Sequence, residues 1–152
     1  VYDKALLLAK KYDADIEIVS LGALLHDIAL IKKVGRRSDH HINGAKITEE
    51  ILNKYNYPQE KIKRVKNCVL HHRTSFDAEN KEEVCVSDAD ILSHFDNIPM
   101  IFDYAYKNYD VNLSNIRSFI KRYFENDYND LSDKTKVIFK EEYENIMKVL
   151  FK

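Results

Sequence analysis

The amino-acid sequence predicts an all-α protein. Only three glycines and two prolines occur among 152 residues, which leaves little material for the tight turns of a sheet protein. Leu, Ile, Lys and Glu recur at spacings of three and four residues, as they do along amphipathic helices. No apolar stretch approaches the roughly 20 residues that a helix needs to cross a bilayer. We therefore expect a compact bundle of several helices, without a membrane partner.

Four helices are predicted in the N-terminal half of the chain. Apolar side chains between residues 5 and 9 carry the first helix, which closes near Asp13. The second begins at Asp15, a residue type that caps helix N-termini, and continues to Leu25. A strongly cationic polar loop, residues 32–39, separates it from the third helix.

The third helix has Asp39 as its N-cap candidate and ends near Tyr55. Pro58 is typical of the first turn of a helix, and the fourth helix continues from it to the histidine pair His71-His72. After a polar break, the remaining helices are predicted at 82–95, 98–107, 113–124 and 132–151.

Composition and charge limit the classes of function. A chain with 45% hydrophobic and 32% charged residues is about one ordinary globular domain. Its formal net charge of −1 argues against a general nucleic-acid surface, which needs a basic excess. Cys68 and Cys85 lie in apolar surroundings and no secretory leader is recognised, which favours a reducing compartment. We expect a cytoplasmic domain that acts without nucleic acid, and we consider a homodimer as its assembly.

Histidine and aspartate recur at the ends of the predicted helices. They occur as His26-Asp27, His40-His41, His71-His72 and Asp88-Ala89-Asp90. A carboxylate beside an apolar run costs several kcal/mol when buried unless it is paired, and a divalent cation held by imidazole and carboxylate pairs it. Helical bundles build metal sites from side chains on facing helices. A single cluster could equally be a helix cap or a surface feature, but the four clusters together predict one metal site.

Four segments also carry a resemblance to a known family. They are Ala23-Leu24-Leu25-His26-Asp27-Ile28, His41-Ile42-Asn43-Gly44-Ala45, Val69-Leu70-His71-His72 and Ser87-Asp88-Ala89-Asp90-Ile91-Leu92. In order, helix placement and spacing, they resemble the HD domain superfamily of metal-dependent phosphohydrolases. The resemblance covers roughly residues 1–100, and residues 101–152 look like a helical extension of a single HD-type domain, 1–152.

The resemblance implies that His26 and Asp27 bind the metal together with an aspartate of the later segment. Asp90 matches the family's Ala-Asp-x-Leu run and is the predicted ligand. Helical periodicity places Asp88 on the apolar stripe instead, so the choice between the two aspartates stays open. The implied cofactor is a divalent metal ion, and Mn²⁺, Mg²⁺, Fe²⁺ and Zn²⁺ all stay open because mixed imidazole and carboxylate ligands do not choose among them.

The same resemblance implies residues that line the cavity. His41 and His72 match positions that line the cavity, where they contact phosphate or bind a second metal ion. Asp27, as a ligand, could also hold the attacking water. Phosphoryl transfer spreads negative charge over equatorial oxygens and needs cations nearby. Arg37 and Arg73 are the predicted substrate-binding cations, because each lies close in sequence to a histidine pair.

The predicted function is therefore a metal-dependent phosphohydrolase. Its expected substrate is a small phosphorylated metabolite, a nucleotide in the first instance, cleaved at a phosphomonoester or pyrophosphate link by water activated at the metal. The alternative is a regulatory module that binds a nucleotide or a metal without hydrolysis. The family has a further histidine on its first helix, ahead of the position of Val1, so we expect a short N-terminal piece to precede this sequence.

Overall fold

A computed structural model describes residues 1–108 and 112–152, and it confirms the all-α prediction. These residues form helices and contain no strand. One short 3₁₀ helix, Arg37–Asp39, precedes α4. The α-helices are α1 Tyr2–Tyr12, α2 Ile16–Leu25, α3 Ile28–Ile31, α4 His40–Lys54, α5 Gln59–Leu70, α6 Lys81–Asp96, α7 Ile98–Asn108, α8 Leu113–Asp130 and α9 Asp133–Phe151. None of the described helices is both long enough and apolar enough to span a bilayer.

The described chain forms two compact units, and the first comprises Val1–Asp90. In this unit α5 packs against both α2 and α4, α1 packs on α2, and α3 packs on α4. Each of these helices turns apolar side chains inward, and burying one such side chain contributes about 1.5–3 kcal/mol. Fully buried members of this core include Leu8, Ile18, Val19, Ile62, Val65 and Val69. The core therefore fixes the helix ends that carry the histidines.

The second unit comprises Ile91–Lys152. Within it, α8 packs against α7 and α9. The Phe95 ring lies 4.9 Å from the Phe124 ring and 5.1 Å from the Phe139 ring, measured between centroids. All three side chains are buried. This unit therefore has an aromatic core of its own.

Of the two predicted N-caps, the structure confirms one and contradicts the other. The Asp15 carboxylate accepts hydrogen bonds from the backbone N–H groups of Glu17 (3.1 Å) and Ile18 (3.4 Å), which confirms it as the N-cap of α2. Asp39 does occupy the residue before α4, but its side chain makes no capping hydrogen bond. It accepts one from the Ser38 hydroxyl at 3.0 Å instead, so the prediction of a side-chain cap there is wrong.

Candidate metal centre

Three helix ends meet in the first unit. His26 and Asp27 lie in the turn between α2 and α3, which places them at the end of the apolar face of α2. Gly44 of α4 packs against this turn, because a Cβ added there would lie 3.4 Å from the backbone oxygen of His26. The same added Cβ would lie 3.1 Å from Val69 Cγ1 on α5. The small residue thus allows the start of α4 and the end of α5 to approach the His-Asp turn.

Asp27, His40 and His72 form the centre of the cluster. One potential ligand atom from each lies within 4.8 Å of the other two. His40 Nε2 is 3.2 Å from Asp27 Oδ1 and 3.0 Å from His72 Nε2, and His72 Nε2 is 3.7 Å from Asp27 Oδ1. The His72 side chain is buried, while Asp27 keeps 38% of its side chain exposed. Two imidazole nitrogens and a carboxylate oxygen therefore converge at a point that remains open to solvent on one side.

His26 and Asp90 extend this cluster. His26 Nε2 lies 3.7 Å from Asp27 Oδ2 and 3.6 Å from Asp90 Oδ1. The His26 ring also contacts the His72 ring edge to face, with 5.3 Å between centroids. Asp88, the alternative to Asp90, is fully buried. The structure thus places Asp90 beside the histidines, and its role as a metal ligand stays a prediction.

The three histidines share one orientation. In each ring Nδ1 donates to the backbone carbonyl three residues earlier, and this requires the proton to be on Nδ1. The contacts are His26 to Ala23 at 2.8 Å, His40 to Arg37 at 2.6 Å and His72 to Val69 at 2.6 Å. The neutral form of each ring then presents the lone pair of Nε2 to the cluster. A carbonyl that fixes the tautomer in this way is typical of histidines that bind metals.

The donor set fits a divalent cation. With both Nδ1 atoms protonated, the Nε2 lone pairs of His40 and His72 face each other at 3.0 Å, an unfavourable arrangement that a cation between them would relieve. Burial lowers the pKa of His72, and the neighbouring His26 and His40 rings act in the same direction. The Val69 carbonyl and Asp90 act in the opposite direction. The lowered pKa favours the neutral form of His72, which is the form that binds a metal.

Sequence reasoning missed His40. It selected His41, but the structure places the His41 ring outside the cluster, in a neighbouring cleft. Burial lowers the pKa of His41, with smaller contributions from Arg73 and His40. A signal for His40 was present in the sequence: it lies four residues before Gly44, so both residues lie on the same face of α4. The catalytic role expected for His41 stays a prediction.

The two predicted substrate-binding arginines lie near the centre and are exposed. Arg37 contributes its backbone carbonyl to His40. Arg73 Nη1 donates to the backbone oxygen of Ser38 at 3.3 Å, which ties the end of α5 to the loop before α4. Their contact with substrate stays a prediction.

Glu83 forms hydrogen bonds that hold the chain directly after α5. It is completely buried, and it accepts hydrogen bonds from His71 Nδ1 (2.8 Å), the backbone N–H of Glu79 (2.8 Å) and Asn80 Nδ2 (2.6 Å). The backbone N–H of Glu83 donates to Asn80 Oδ1 at 3.1 Å, which resembles a capping box at the start of α6. Because His71 precedes His72, this network positions the chain that carries a central histidine.

Replacing Glu83 with alanine is expected to lower the free energy of unfolding by about 2 kcal/mol, because it removes the buried acceptor of hydrogen bonds from His71, Glu79 and Asn80. Urea denaturation followed by circular dichroism measures this change. Glu142→Ala, at an exposed position of α9, is the control and should stay within about 0.5 kcal/mol of the unmodified chain. An unchanged urea midpoint for Glu83→Ala would show that the network does not stabilise the fold.

The helical fold and the His-Asp cluster define an all-α domain with a candidate metal centre. Residues 1–94 match the HD domain, and the chain belongs to the HD domain family. This confirms the resemblance seen in the four segments. The family has a fold of the metal-dependent hydrolase type, and its members typically bind divalent metals.

A relative from Clostridium beijerinckii, described as an uncharacterized protein, is 37% identical over 57 residues. The aligned part covers 38% of this chain and 36% of the relative. The chain therefore matches about a third of that protein's length. No solved structure matches the chain.

Proposed function

We propose that this chain is a metal-dependent phosphohydrolase with its metal centre at the cluster just described. The observation that carries the proposal is the common orientation of three histidines, each with Nδ1 on a backbone carbonyl and Nε2 facing Asp27, with Asp90 as a second carboxylate beside His26. The arrangement brings the Nε2 lone pairs of His40 and His72 together at 3.0 Å, and a cation between them would relieve this. The proposed ligands are His26, Asp27, His40, His72 and Asp90. Membership in the HD domain family supports the same conclusion.

The residues of the cluster would have different roles at the metal centre. Asp27, His40 and His72 would hold one divalent ion, since their ligand atoms already converge, and His26 and Asp90 lie next to them. A bound divalent ion supplies Lewis acidity to a phosphoryl oxygen and lowers the pKa of water. The two carboxylates offset the charge of the ion, and the backbone carbonyls keep the imidazole rings in place. Nitrogen and oxygen donors in this mixture suit Mn²⁺, Mg²⁺, Fe²⁺ or Zn²⁺ better than Ca²⁺.

The proposed substrate is a small phosphorylated metabolite, with a nucleotide as the specific candidate. Arg73 directly follows His72 and lines the cleft beside the centre, so a guanidinium is available to the part of the substrate that lies in this cleft. Charge that develops on phosphoryl oxygens during transfer is stabilised by cations, and the exposed Arg37, whose backbone carbonyl bonds to His40, is the candidate for this role. Cleavage would occur at a phosphomonoester or at a pyrophosphate link. No nucleic-acid or membrane partner is part of this proposal.

Removal and restoration of the metal test the proposal. We expect the chain treated with EDTA to release no phosphate from a panel of nucleoside mono-, di- and triphosphates and ribose 5-phosphate. Mn²⁺ or Mg²⁺ should restore release from at least one member, measured as inorganic phosphate or pyrophosphate. Release that EDTA does not affect would contradict the metal mechanism. Mn²⁺ binding without hydrolysis of any ester would favour the regulatory module instead.

A further inference from the structure

A polar cleft lies beside the candidate metal centre. Its volume is about 340 Å³, within the range of pockets that hold small molecules. It is lined by His41, Leu70, Arg73, Thr74 and Asp77. The cleft adjoins the centre because the His40 and His41 rings are in edge contact, 5.7 Å between centroids. A molecule with its phosphate at the centre could therefore reach the cleft with another part of its structure.

The cleft contains one cation and one anion that do not pair with each other. Arg73 donates to the Ser38 backbone, and in the described part of the chain no carboxylate lies within ion-pair distance of it. Asp77 is exposed, and the same part of the chain offers its carboxylate no ion pair. Its backbone N–H closes a turn on the Thr74 carbonyl at 3.2 Å. Both charged groups are thus free to meet a ligand.

The charges of Arg73 and Asp77 limit the kind of ligand that the cleft can bind. A phosphate in the cleft would be attracted by Arg73 and repelled by Asp77, so the cleft does not suit an anion. A neutral planar group with acceptors on one edge and donors on another satisfies both side chains. The His41 ring and the apolar Leu70 side chain supply walls for the faces of such a group.

Guanine has the matching edges. Its O6 and N7 accept a bidentate pair of hydrogen bonds from a guanidinium, and its N1–H and N2 amino group donate a second pair to a carboxylate. Adenine offers an amino group to the carboxylate but no adjacent N–H, so it makes fewer bonds with the same two side chains. We propose that the cleft binds the guanine base of a nucleotide whose phosphate lies at the metal centre. The position of the phosphate rests on the proposed function.

The test uses guanosine, which has no phosphate, so that its outcome does not depend on hydrolysis. We expect guanosine to bind the full chain more tightly than adenosine, cytidine or uridine, and to shift the amide resonances of Thr74 and Asp77 in ¹⁵N spectra. Asp77→Ala should raise the dissociation constant for guanosine at least about tenfold, the loss expected for a charge-assisted pair of hydrogen bonds. Asp103→Ala, an exposed carboxylate on α7, is the matched control.

The outcomes separate this inference from the proposed function. Guanosine binding that depends on Asp77, in a chain that hydrolyses no ester, would support the cleft and contradict the phosphohydrolase. Hydrolysis of esters without guanosine binding, or guanosine binding that Asp77→Ala leaves unchanged, would overturn the inference. A preference for another nucleoside would overturn it as well. Arg73→Gln provides a second variant, expected to weaken guanosine binding on the opposite edge of the base.

Discussion

Asp27→Ala is expected to abolish phosphate release that depends on Mn²⁺, with kcat/KM at least about 100-fold lower, more than the loss typical of residues that only support a ligand. The two oxygens of Asp27 lie near three histidines: Oδ1 near His40 and His72, and Oδ2 near His26. Its removal would deprive the ion of a charged ligand next to the three Nε2 atoms. Initial rates with the most active ester from the nucleotide panel measure the effect.

Asp3→Ala provides the control for this substitution, because Asp3 is an exposed carboxylate on α1. It should hydrolyse the ester at the rate of the unmodified chain. Circular dichroism should show the helical content of Asp27→Ala to be retained, because Asp27 is 38% exposed and contributes little to the core. Hydrolysis by Asp27→Ala that Mn²⁺ still stimulates would rule out the proposed centre.

His40→Ala and His41→Ala form a matched pair at adjacent positions, and they should differ sharply in metal affinity. His40→Ala removes the Nε2 atom that lies 3.2 Å from Asp27 and 3.0 Å from His72, so the dissociation constant for Mn²⁺ should rise at least about 100-fold. The His41 ring faces the cleft, and its removal should change Mn²⁺ affinity by no more than about threefold, since it lies outside the cluster. Isothermal titration calorimetry measures both constants.

The reverse ranking would contradict the structure. If His41→Ala weakened Mn²⁺ binding more than His40→Ala, His41 would bind the metal ion and His40 would not, which requires the start of α4 to turn. Equal and large effects would indicate that the start of α4 rearranges when the metal binds. Thermal unfolding of both variants without metal separates a loss of ligand from a loss of fold.

Most helices could be predicted because their apolar periodicity extends over three or more turns. The start of α2 was also predictable, since the Asp15 side chain bonds to backbone groups only two and three residues away. By contrast, α3 was not predicted. Its four residues, Ile28–Ile31, are too few to show a period of 3.6, and α3 forms where the chain packs on α4. The formation of α3 therefore depends on its contact with α4, which the local sequence pattern does not reveal.

The candidate site was predictable in composition and less so in detail. Helical periodicity correctly placed Asp88 in the core, and the neighbouring motif pointed to Asp90, which lies 3.6 Å from His26. The choice between His40 and His41 depended on which face of α4 approaches the His-Asp turn, and only Gly44 marks that face. Adjacent residues on a helix point about 100° apart. A prediction that is wrong by one position therefore selects His41, which lines the cleft, in place of His40, which lies at the metal centre.

The orientation of the three histidine rings depends on short local contacts, but it cannot be predicted from the sequence. His26, His40 and His72 each use the carbonyl three residues earlier, so the contact needs only one turn of chain. Whether the ring closes on that carbonyl depends on the backbone at a helix end, and this is set by packing. Histidines near helix ends in related chains can be examined for the same hydrogen bond from Nδ1 to the carbonyl three residues earlier.

The most direct test of the centre is to locate the metal itself. Crystals of the chain grown or soaked with Mn²⁺ should show an anomalous difference peak within coordination distance of Asp27, His40 and His72, at about 2.0–2.3 Å from their ligand atoms. The peak should be absent from crystals treated with EDTA. A peak at another place in the chain, or none at these three residues when Mn²⁺ is in excess, would contradict the proposal that they form a metal centre.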